Sequence, residues 1–311
     1  MADSYHAPAM VDEVLEHLDP TRGGLFFDGT LGGAGHAVAI LERGGEDTRL
    51  IAVDRDPEAL DVAARRLERF GARVRLVAGN FADVAEELAG EGASLAGALL
   101  DLGISSRHID EPARGFSFRP GTPLDMRMGG AAAAVPTAAQ LLNRLSHDEL
   151  TRVFRVYGEE PRARRLAGEV VRRRELRPFA TSDDLLEAME SALGSRLEVQ
   201  DKARIFQALR IAVNEEMEAL ERALPALRDA LEDGGVFVVL AYHSLEDRQV
   251  KNAFREWSRA CVCPPELPMC TCRGRPLGKT LMRKPLSASA QEVAENPRVR
   301  SARLRAWRKA A

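Results

Sequence analysis

The chain reads Leu25-Phe-Phe-Asp28-Gly-Thr-Leu-Gly32-Gly-Ala-Gly35-His36 close to its N-terminus. An apolar run stops at an acid, opens into four glycines within seven residues, and continues into residues suited to a helix from Ala37 to Arg43. This order predicts a strand, a glycine-rich turn and a helix. In open α/β sheets such a turn binds nucleotide-like ligands, because backbone N–H groups and the helix N-terminus lie beside the carboxyl end of the strand.

The acid that ends the strand narrows the class of ligand. The dinucleotide pattern G-x-G-x-x-G fits poorly, since Gly33-x-Gly35 is followed three residues later by Val38. Asp28 suits a cationic ligand better than a pyrophosphate. S-adenosylmethionine carries an ammonium and a sulfonium group, and a carboxylate at this place can hold its amino-acid end. An ordinary glycine-rich turn with a solvated Asp28 is the alternative.

Length and composition predict about two domains and no membrane span. The 311 residues are 45% apolar and 29% charged, without a long uncharged apolar run. The N-terminus lacks the basic start and apolar core of a signal peptide. All four cysteines fall between Cys261 and Cys272, so no disulfide framework spanning the fold is expected. These features favour a cytoplasmic protein.

The net charge of −3 conceals an asymmetry. Residues 273–311 hold eleven Lys or Arg against two acids, a local charge of +9, which leaves −12 on the rest of the chain. A basic tail on an acidic body suggests a polyanionic partner. A solvated surface tail is the alternative.

Three more strand–turn units follow the first and predict a parallel, doubly wound sheet. Their predicted strands are 49–53, 74–77 and 96–100. Asp28, Asp54 and Asp101 each follow a strand and are expected to converge on one edge of the sheet. Asp54 can accept hydrogen bonds from both ribose hydroxyls of a nucleoside, or it caps the next helix. Phe81 can pack on an adenine ring or fill the core, and Asp83 is expected to cap the helix beside it.

The pattern changes after residue 107. Residues 107–135 form an irregular loop that contains aromatic and arginine residues, and residues 137–193 predict three or four helices with caps at Ser146 and Thr181. The sequence therefore predicts a helical domain, 109–199, inserted into a discontinuous sheet domain.

The sheet domain is expected to comprise residues 1–108 and 200–311. One long helix from Lys202 to Leu231 leads back to it, and a fifth apolar strand covers 236–242. The final stretch, 301–307, alternates like an edge strand.

The sequence resembles one family, the bacterial methyltransferase H of small-subunit ribosomal RNA. Eight stretches match this family in order along nearly the whole chain. They are Asp28-Gly-Thr-Leu-Gly-Gly-Ala-Gly-His36, Ala52-Val-Asp-Arg-Asp-Pro57, Leu99-Leu-Asp-Leu-Gly-Ile-Ser-Ser106, Arg114-Gly-Phe-Ser-Phe118, Pro123-Leu-Asp-Met-Arg-Met128, Phe206-Gln-Ala-Leu-Arg-Ile211, His243-Ser-Leu-Glu-Asp-Arg248 and Glu295-Asn-Pro-Arg298. Each motif alone is weak, whereas the ordered set is highly specific.

The resemblance implies a class I, Rossmann-like methyltransferase sheet with an inserted all-helical domain. It implies transfer of a methyl group from S-adenosylmethionine to N4 of a cytidine in the decoding region of 16S ribosomal RNA, with the small ribosomal subunit as partner. The family's cofactor positions carry over to Ala34, Gly35, His36, Asp54, Phe81, Asp101 and His108. The chain departs from the family at Gln200-Asp-Lys-Ala-Arg204, where the family often has His-Pro-Ala-Thr-Arg, so residues 200–203 receive no role.

The proposed chemistry needs a group that assists a weak nucleophile. The cytosine N4 lone pair is delocalised into the ring, so an enzyme must align the amine and can accept one of its protons. The base must also leave its stack. We hypothesise that Asp101 faces the amine while Asp125 or His243 assists. As alternatives to these catalytic roles, His243 caps the helix that begins beside it and Asp125 only binds Arg127.

Arginines are expected to bind RNA phosphates, which gives affinity without much sequence information. The candidates are Arg114, Arg127, Arg298, Arg300 and Arg303, together with Arg305 and the arginines of the inserted helices. Phe116 and Phe118 can stack on unpaired bases, or the loop can bury its own aromatic side chains.

The spacing Cys261-x-Cys263 and Cys270-x-Cys272 is compact enough for a zinc or redox site. C-x-C is less usual than C-x-x-C in structural zinc sites, and methyl transfer requires no metal, so no metal ligands are assigned.

Two other classes of function remain open from sequence alone. A nicotinamide-dependent oxidoreductase would share the sheet, although the dinucleotide pattern fits poorly. A non-catalytic RNA-binding or assembly factor would use the basic faces but would not need three acids around a glycine turn. The oligomeric state, including a homodimer, stays undecided.

Overall fold

The chain forms two compact units. The computed structural model describes residues 8–264, 269 and 271–311. The first unit, called the sheet unit, joins residues 1–103 to 217–311. The second, called the helical unit, comprises residues 104–216 and interrupts the sheet unit in sequence.

The helical unit has different limits from the predicted inserted domain, 109–199. The difference is greatest at its C-terminal end, where the helix Val199–Asn214 belongs to the helical unit. Ile205, Phe206 and Leu209 of that helix are buried in the core of the helical unit. Because this helix buries its apolar face in the core of the helical unit, the unit extends to the end of the helix.

The described part of the sheet unit contains eight strands in one sheet. They are β1 (Gly24–Asp28), β2 (Thr48–Asp54), β3 (Val74–Ala78), β4 (Leu95–Asp101), β5 (Leu231–Ala241), β6 (Gly278–Thr280), β7 (Leu286–Ser287) and β8 (Arg303–Lys309). Their order is β3-β2-β1-β4-β5-β8-β6, with β7 paired to β8. Strands β1 to β5 are parallel, as the sequence predicts. The order reverses between β1 and β4, and open sheets bind ligands at that switch point.

The helices connect the strands and form the helical unit. They are α1 (Val11–Leu18), α2 (Gly35–Arg43), α3 (Pro57–Leu67), α4 (Phe81–Gly90), α5 (Ser106–Asp110), α6 (Ala138–Arg144), α7 (His147–Arg152), α8 (Ala163–Arg174), α9 (Ser182–Leu193), α10 (Val199–Asn214), α11 (Glu216–Ala230), α12 (Ser244–Trp257) and α13 (Ala290–Glu295). None of the described helices is long and apolar enough to cross a bilayer.

Helices cover both faces of the sheet. Successive side chains of a strand point to opposite faces, so Phe26 and Phe27, both fully buried, enter two separate apolar cores. Helices α4, α11 and α12 pack on the face of Phe27, and α1, α2 and α3 on the face of Phe26. A strand covered on both faces is apolar throughout, which explains the continuous runs in the sequence.

The last strand is not at the edge of the sheet, so that prediction was wrong. Strand β8 lies between β5 and β6, antiparallel to both. Its alternating pattern is real, since Leu304 and Ala306 are buried on one face. The strands that cover it, β6 and β7, span three and two residues, too few to show a periodic pattern.

Two details of the helices also differ from the prediction. The helix expected from Lys202 to Leu231 is broken at Glu215, which takes a left-handed conformation between α10 and α11. Helix α4 is capped by Asn80 rather than by Asp83, and the Asn80 side chain accepts a hydrogen bond from the Ala82 N–H at 3.1 Å.

Candidate active site

The glycine-rich turn connects β1 to α2 beside the switch point of the sheet. Gly32 (φ 50°) and Ala34 (φ 62°) are left-handed, a conformation that costs a residue with a side chain about 1–2 kcal/mol. A methyl group added to Gly32 would approach no atom more closely than 3.9 Å, so the turn is open there. Ala34, the N-cap residue, provides no side-chain cap for α2, and N–H groups at the start of a helix can bind a ligand.

The start of α4 packs closely against the end of β1. A Cβ on Gly29 would lie 2.5 Å from Leu100 Cδ2 and 2.9 Å from Phe81 Cβ, so only glycine fits. Phe81 is partly buried against the core, at the carboxyl edge of the sheet where the sequence places it.

The three strand-end acids lie on adjacent strands, because β2, β1 and β4 are neighbours. Asp54 organises the turn: its Oδ2 accepts a hydrogen bond from the Gly32 N–H at 2.7 Å, and its Oδ1 accepts one from the Asp56 N–H at 2.9 Å. Capping of α3 falls instead to Asp56, which accepts from the Glu58 N–H.

Asp28 is a buried carboxyl. It is 1% exposed; Oδ1 accepts a hydrogen bond from the Thr30 N–H at 3.1 Å, while the buried Oδ2 has no hydrogen-bond partner among residues 8–264, 269 and 271–311. Burial, opposed in part by the nearby His36, raises the pKa of Asp28 from 3.8 to about 6. An orphaned buried oxygen is costly, and the ammonium group of a ligand would satisfy it directly or through water.

The raised pKa of Asp28 predicts how the stability of an Asp28→Asn variant depends on pH. Since the folded pKa lies above the unfolded one, stability present at low pH is lost as pH rises through about 6. Asparagine stays neutral at every pH. The free energy of unfolding of the variant, relative to that of the wild type, should therefore rise by about 2 kcal/mol as the pH is raised from about 4 to about 7. Urea unfolding of the cofactor-free proteins across this range measures the difference. A difference that does not change with pH would contradict the assignment.

Asp101 is surrounded by polar groups from three elements. Its backbone N–H donates to Thr30 Oγ1 at 2.6 Å, and Tyr242, just after β5, donates its hydroxyl to Oδ1 at 2.8 Å. His36 Nε2 lies 3.4 Å from Oδ2. The structure therefore brings together Asp28, His36, Asp54 and Asp101, as the sequence predicts for the strand ends.

Burial and the neighbouring carboxylates determine the protonation of His36 and Tyr242. Burial opposes protonation of His36, but the contact with Asp101 and the charge of Asp28 outweigh it and raise the His36 pKa. Burial and the charge of Asp101 raise the pKa of Tyr242 well above 10, so this side chain stays a hydroxyl donor. Sequence reasoning missed Tyr242 and Thr30; a tyrosine ending an otherwise apolar strand was the available signal.

His243 serves as a helix cap in this structure. Its Nδ1 accepts from the Glu246 N–H at 3.4 Å, and its Nε2 lies 3.1 Å from Glu246 Oε1. Glu246 in turn accepts from the backbone N–H groups of Tyr242 and His243. This is the alternative role that the sequence left open.

The predicted site residues of the helical unit are held by one another. Arg127 donates to both carboxylate oxygens of Asp125, at 2.9 and 2.8 Å. Although burial acts in the opposite direction, these bonds lower the pKa of Asp125, which weakens it as a base near neutral pH. Arg114 donates to the backbone carbonyls of Arg127 and Met128.

Aromatic residues of this loop contact other side chains of the helical unit. His108 is buried, and its ring centroid lies 4.8 Å from that of Phe116. His108 Nδ1 lies 3.2 Å from the Ser105 hydroxyl. Phe118 makes an edge contact with Phe206 at 5.6 Å. The loop thus buries part of its own aromatic surface.

Asn214 is a residue that sequence reasoning did not identify. Its Nδ2 donates to the Met126 carbonyl at 2.8 Å and its Oδ1 accepts from the Met128 N–H at 2.9 Å. Met126 has a positive φ of 63°. Asn214 therefore fixes this loop segment, and its position next to the break at Glu215 explains why α10 ends here.

The basic C-terminal segment is divided between exposed and paired arginines. Arg300 and Arg303 are exposed, and Arg298 is partly buried. Arg305 forms two hydrogen bonds to Asp247, at 2.7 and 3.1 Å, so its charge is already neutralised within the sheet unit.

The chain matches one family of known proteins along its length. The model of the MraW methylase family matches residues 3–310. Its relatives include proteins named Ribosomal RNA small subunit methyltransferase H. The one from Gemmatimonas aurantiaca is 53% identical over 310 residues, covering 99% of this chain and 96% of the relative. The one from Heliobacterium modesticaldum is 46% identical over 310 residues, covering 98% of this chain and 98% of the relative. The one from Pelobacter propionicus is 47% identical over 316 residues, covering 99% of this chain and 100% of the relative.

Proposed function

This chain belongs to the MraW methylase family, and on that basis we propose that it methylates N4 of a cytidine in the decoding region of 16S ribosomal RNA. Its methyl donor is S-adenosylmethionine, whose sulfonium makes the methyl group electrophilic. The observation that carries the proposal is the convergence of three carboxylates, Asp28, Asp54 and Asp101, on one open glycine-rich turn. Such a substrate would place the reaction in the cytoplasm, on the small ribosomal subunit.

The residues of the sheet unit fit this cofactor. Asp28 Oδ2, which has no partner in the part of the chain that the structure describes, provides a site for an ammonium group, and Asp54 provides carboxylate acceptors for the ribose. Ala34, Gly35 and His36 present the start of α2 to the ligand. Phe81 offers a ring for the adenine. His108, which the family resemblance adds, lies in the helical unit.

Asp101 is the residue we assign to the target amine. Its Oδ1 is held by Tyr242 and its Oδ2 lies near His36, so the carboxylate has a fixed orientation. A carboxylate that accepts a hydrogen bond from N4 would take the amine's proton as the carbon–nitrogen bond forms and the carbon–sulfur bond of the methyl donor breaks, which favours attack. The proton leaves to solvent afterwards. Asp125 and His243 remain proposed assistants.

RNA binding is assigned to the arginines. Arg300 and Arg303 are exposed in a segment of strong positive charge, and Arg298 adjoins them. Arg114 and Arg127 order the loop through carbonyl and carboxylate contacts, so their proposed contribution to RNA binding includes positioning this loop.

Removing the exposed arginines should weaken substrate binding and its dependence on salt. We expect Arg300→Ala/Arg303→Ala to reduce affinity for the small subunit about tenfold, and to lower the slope of log affinity against log salt by about 1–2. Arg49→Ala is the matched control, because Arg49 is exposed at the opposite end of β2 from Asp54. An equal loss in the control, or an unchanged slope, would contradict these phosphate contacts.

A methyl-transfer assay tests the proposed substrate. Labelled S-adenosylmethionine is incubated with the protein and with small subunits, large subunits or free 16S RNA from cells that lack this protein. Label in 16S RNA, from either form, supports the proposal and identifies the substrate's assembly state. Label only in the large subunit, or in none, contradicts it.

A further inference from the structure

Three cysteine sulfurs lie close together in the connection between α12 and β6. The Sγ atoms of Cys261, Cys263 and Cys272 all lie within 4.8 Å of one another. The predicted motif contains a fourth cysteine, Cys270, which lies outside the described residues. The inference below uses only the three described sulfurs, and none of them belongs to the site proposed for methyl transfer.

The separation of the sulfurs matches a shared tetrahedral ion. Zinc–sulfur bonds of about 2.3 Å at tetrahedral angles place two sulfurs about 3.8 Å apart. Cys261 Sγ and Cys272 Sγ are 3.8 Å apart. A disulfide, by contrast, requires a sulfur–sulfur distance of about 2.05 Å, so the observed arrangement suits metal coordination better than oxidation.

A backbone donor also contacts one of the sulfurs. The Val262 N–H donates to Cys272 Sγ at 3.3 Å. Donors of this kind hold the ligating atoms in place and stabilise negative charge on sulfur. The thiolate form is the one that binds metal.

The C-terminal part of the connection is held against the end of α12. Arg273 donates to the carbonyls of Glu256 and Arg259, at 2.6 and 3.2 Å, and the Leu277 N–H donates to the Trp257 carbonyl at 2.8 Å.

Two of the described residues in this connection contribute little to the core, since Cys261 is exposed and Met269 is 76% exposed. Long connections without a core of their own need another source of order. A bound metal ion would provide it.

We propose that Cys261, Cys263 and Cys272 bind one zinc ion, which fixes the connection between α12 and β6. Thiolate sulfur favours zinc among the common divalent ions. Each thiol gives up its proton to solvent on binding, so the metal supplies structure and no redox change occurs. Such a site would be independent of methyl transfer, and its test does not depend on the proposed function.

The first test measures the metal content of untagged protein purified without chelators. We expect about one zinc per chain by elemental analysis. Cys261→Ser and Cys272→Ser should lose it, whereas Thr271→Ala, which keeps every thiol and backbone donor, should retain it. Protein without bound metal, or with iron or copper in place of zinc, would overturn the proposal.

A second measurement covers the case in which the serine variants do not fold. Wild-type protein stripped of metal is titrated with Co²⁺, whose thiolate complexes absorb in the near ultraviolet. We expect a charge-transfer band that saturates at one equivalent and disappears when Zn²⁺ is added. All four cysteines lie in this segment, so such a band reports on it alone. No band, or rapid formation of a disulfide instead, would contradict the proposal.

Discussion

Asp101→Asn should lower the rate of methyl transfer about 1,000-fold at saturating cofactor, within the range that a positioned proton acceptor contributes. Asparagine keeps an oxygen that can accept from the Tyr242 hydroxyl, which lies 2.8 Å from Asp101 Oδ1, but it loses the negative charge. We expect cofactor affinity to change less than tenfold, so that the loss appears in the rate of a single turnover. Rapid-quench measurement of labelled product gives that rate.

Tyr242→Phe provides the comparison for this result. It removes the hydroxyl donor and leaves the carboxylate, so we expect a loss of only about tenfold, consistent with one hydrogen bond. Both variants should show the far-ultraviolet circular dichroism of the wild type. Near-normal turnover by Asp101→Asn would remove Asp101 from the mechanism and leave the fold unaffected.

Asp54→Asn should weaken cofactor binding at least 100-fold. A hydrogen bond to a charged group contributes about 1.5–3 kcal/mol, and the proposed ribose contacts number two. The substitution also places an amide where Asp54 accepts hydrogen bonds from Gly32 and Asp56, which disturbs the turn. Isothermal titration with S-adenosylmethionine measures the affinity.

Asp56→Ala is the matched control for Asp54. Asp56 caps α3 through the Glu58 N–H at 3.1 Å, and loss of a cap costs about 1 kcal/mol of stability. We expect it to lower the melting temperature while cofactor affinity stays within a few-fold of the wild type. Equal affinity losses in both variants would indicate damage to the fold rather than loss of ribose contacts.

The sequence was a good guide to the parts of the fold that repeat. Strands β1, β2 and β4 contain continuous apolar runs, the pattern expected of strands covered on both faces. The sequence was a poor guide where the end of a helix depends on contacts with residues far away in the chain. Residues 202–231 favour helix throughout, and Pro225 is accommodated within α11, whereas the break falls at Glu215 beside the contacts that Asn214 makes with a remote loop.

The candidate site shows the same division. Its strand-end acids could be predicted because parallel strands bring their carboxyl ends to one edge of the sheet. The position of Tyr242 at the end of an apolar stretch was visible in the sequence, but its role and that of Thr30 were not, because each depends on how the hydroxyl approaches Asp101. The pairing of Asp125 with Arg127 was foreseen only as an alternative, since a spacing of two residues does not determine whether the side chains meet.

The position of the new methyl group tests the central proposal most directly. Small ribosomal subunits from cells lacking this protein are methylated with isotopically labelled S-adenosylmethionine, and the 16S RNA is digested and analysed by mass spectrometry. We predict label in N4-methylcytidine, or in its 2′-O-methylated form, within a fragment of the decoding region. Label in 5-methylcytidine, in another nucleoside or outside that region would contradict the account.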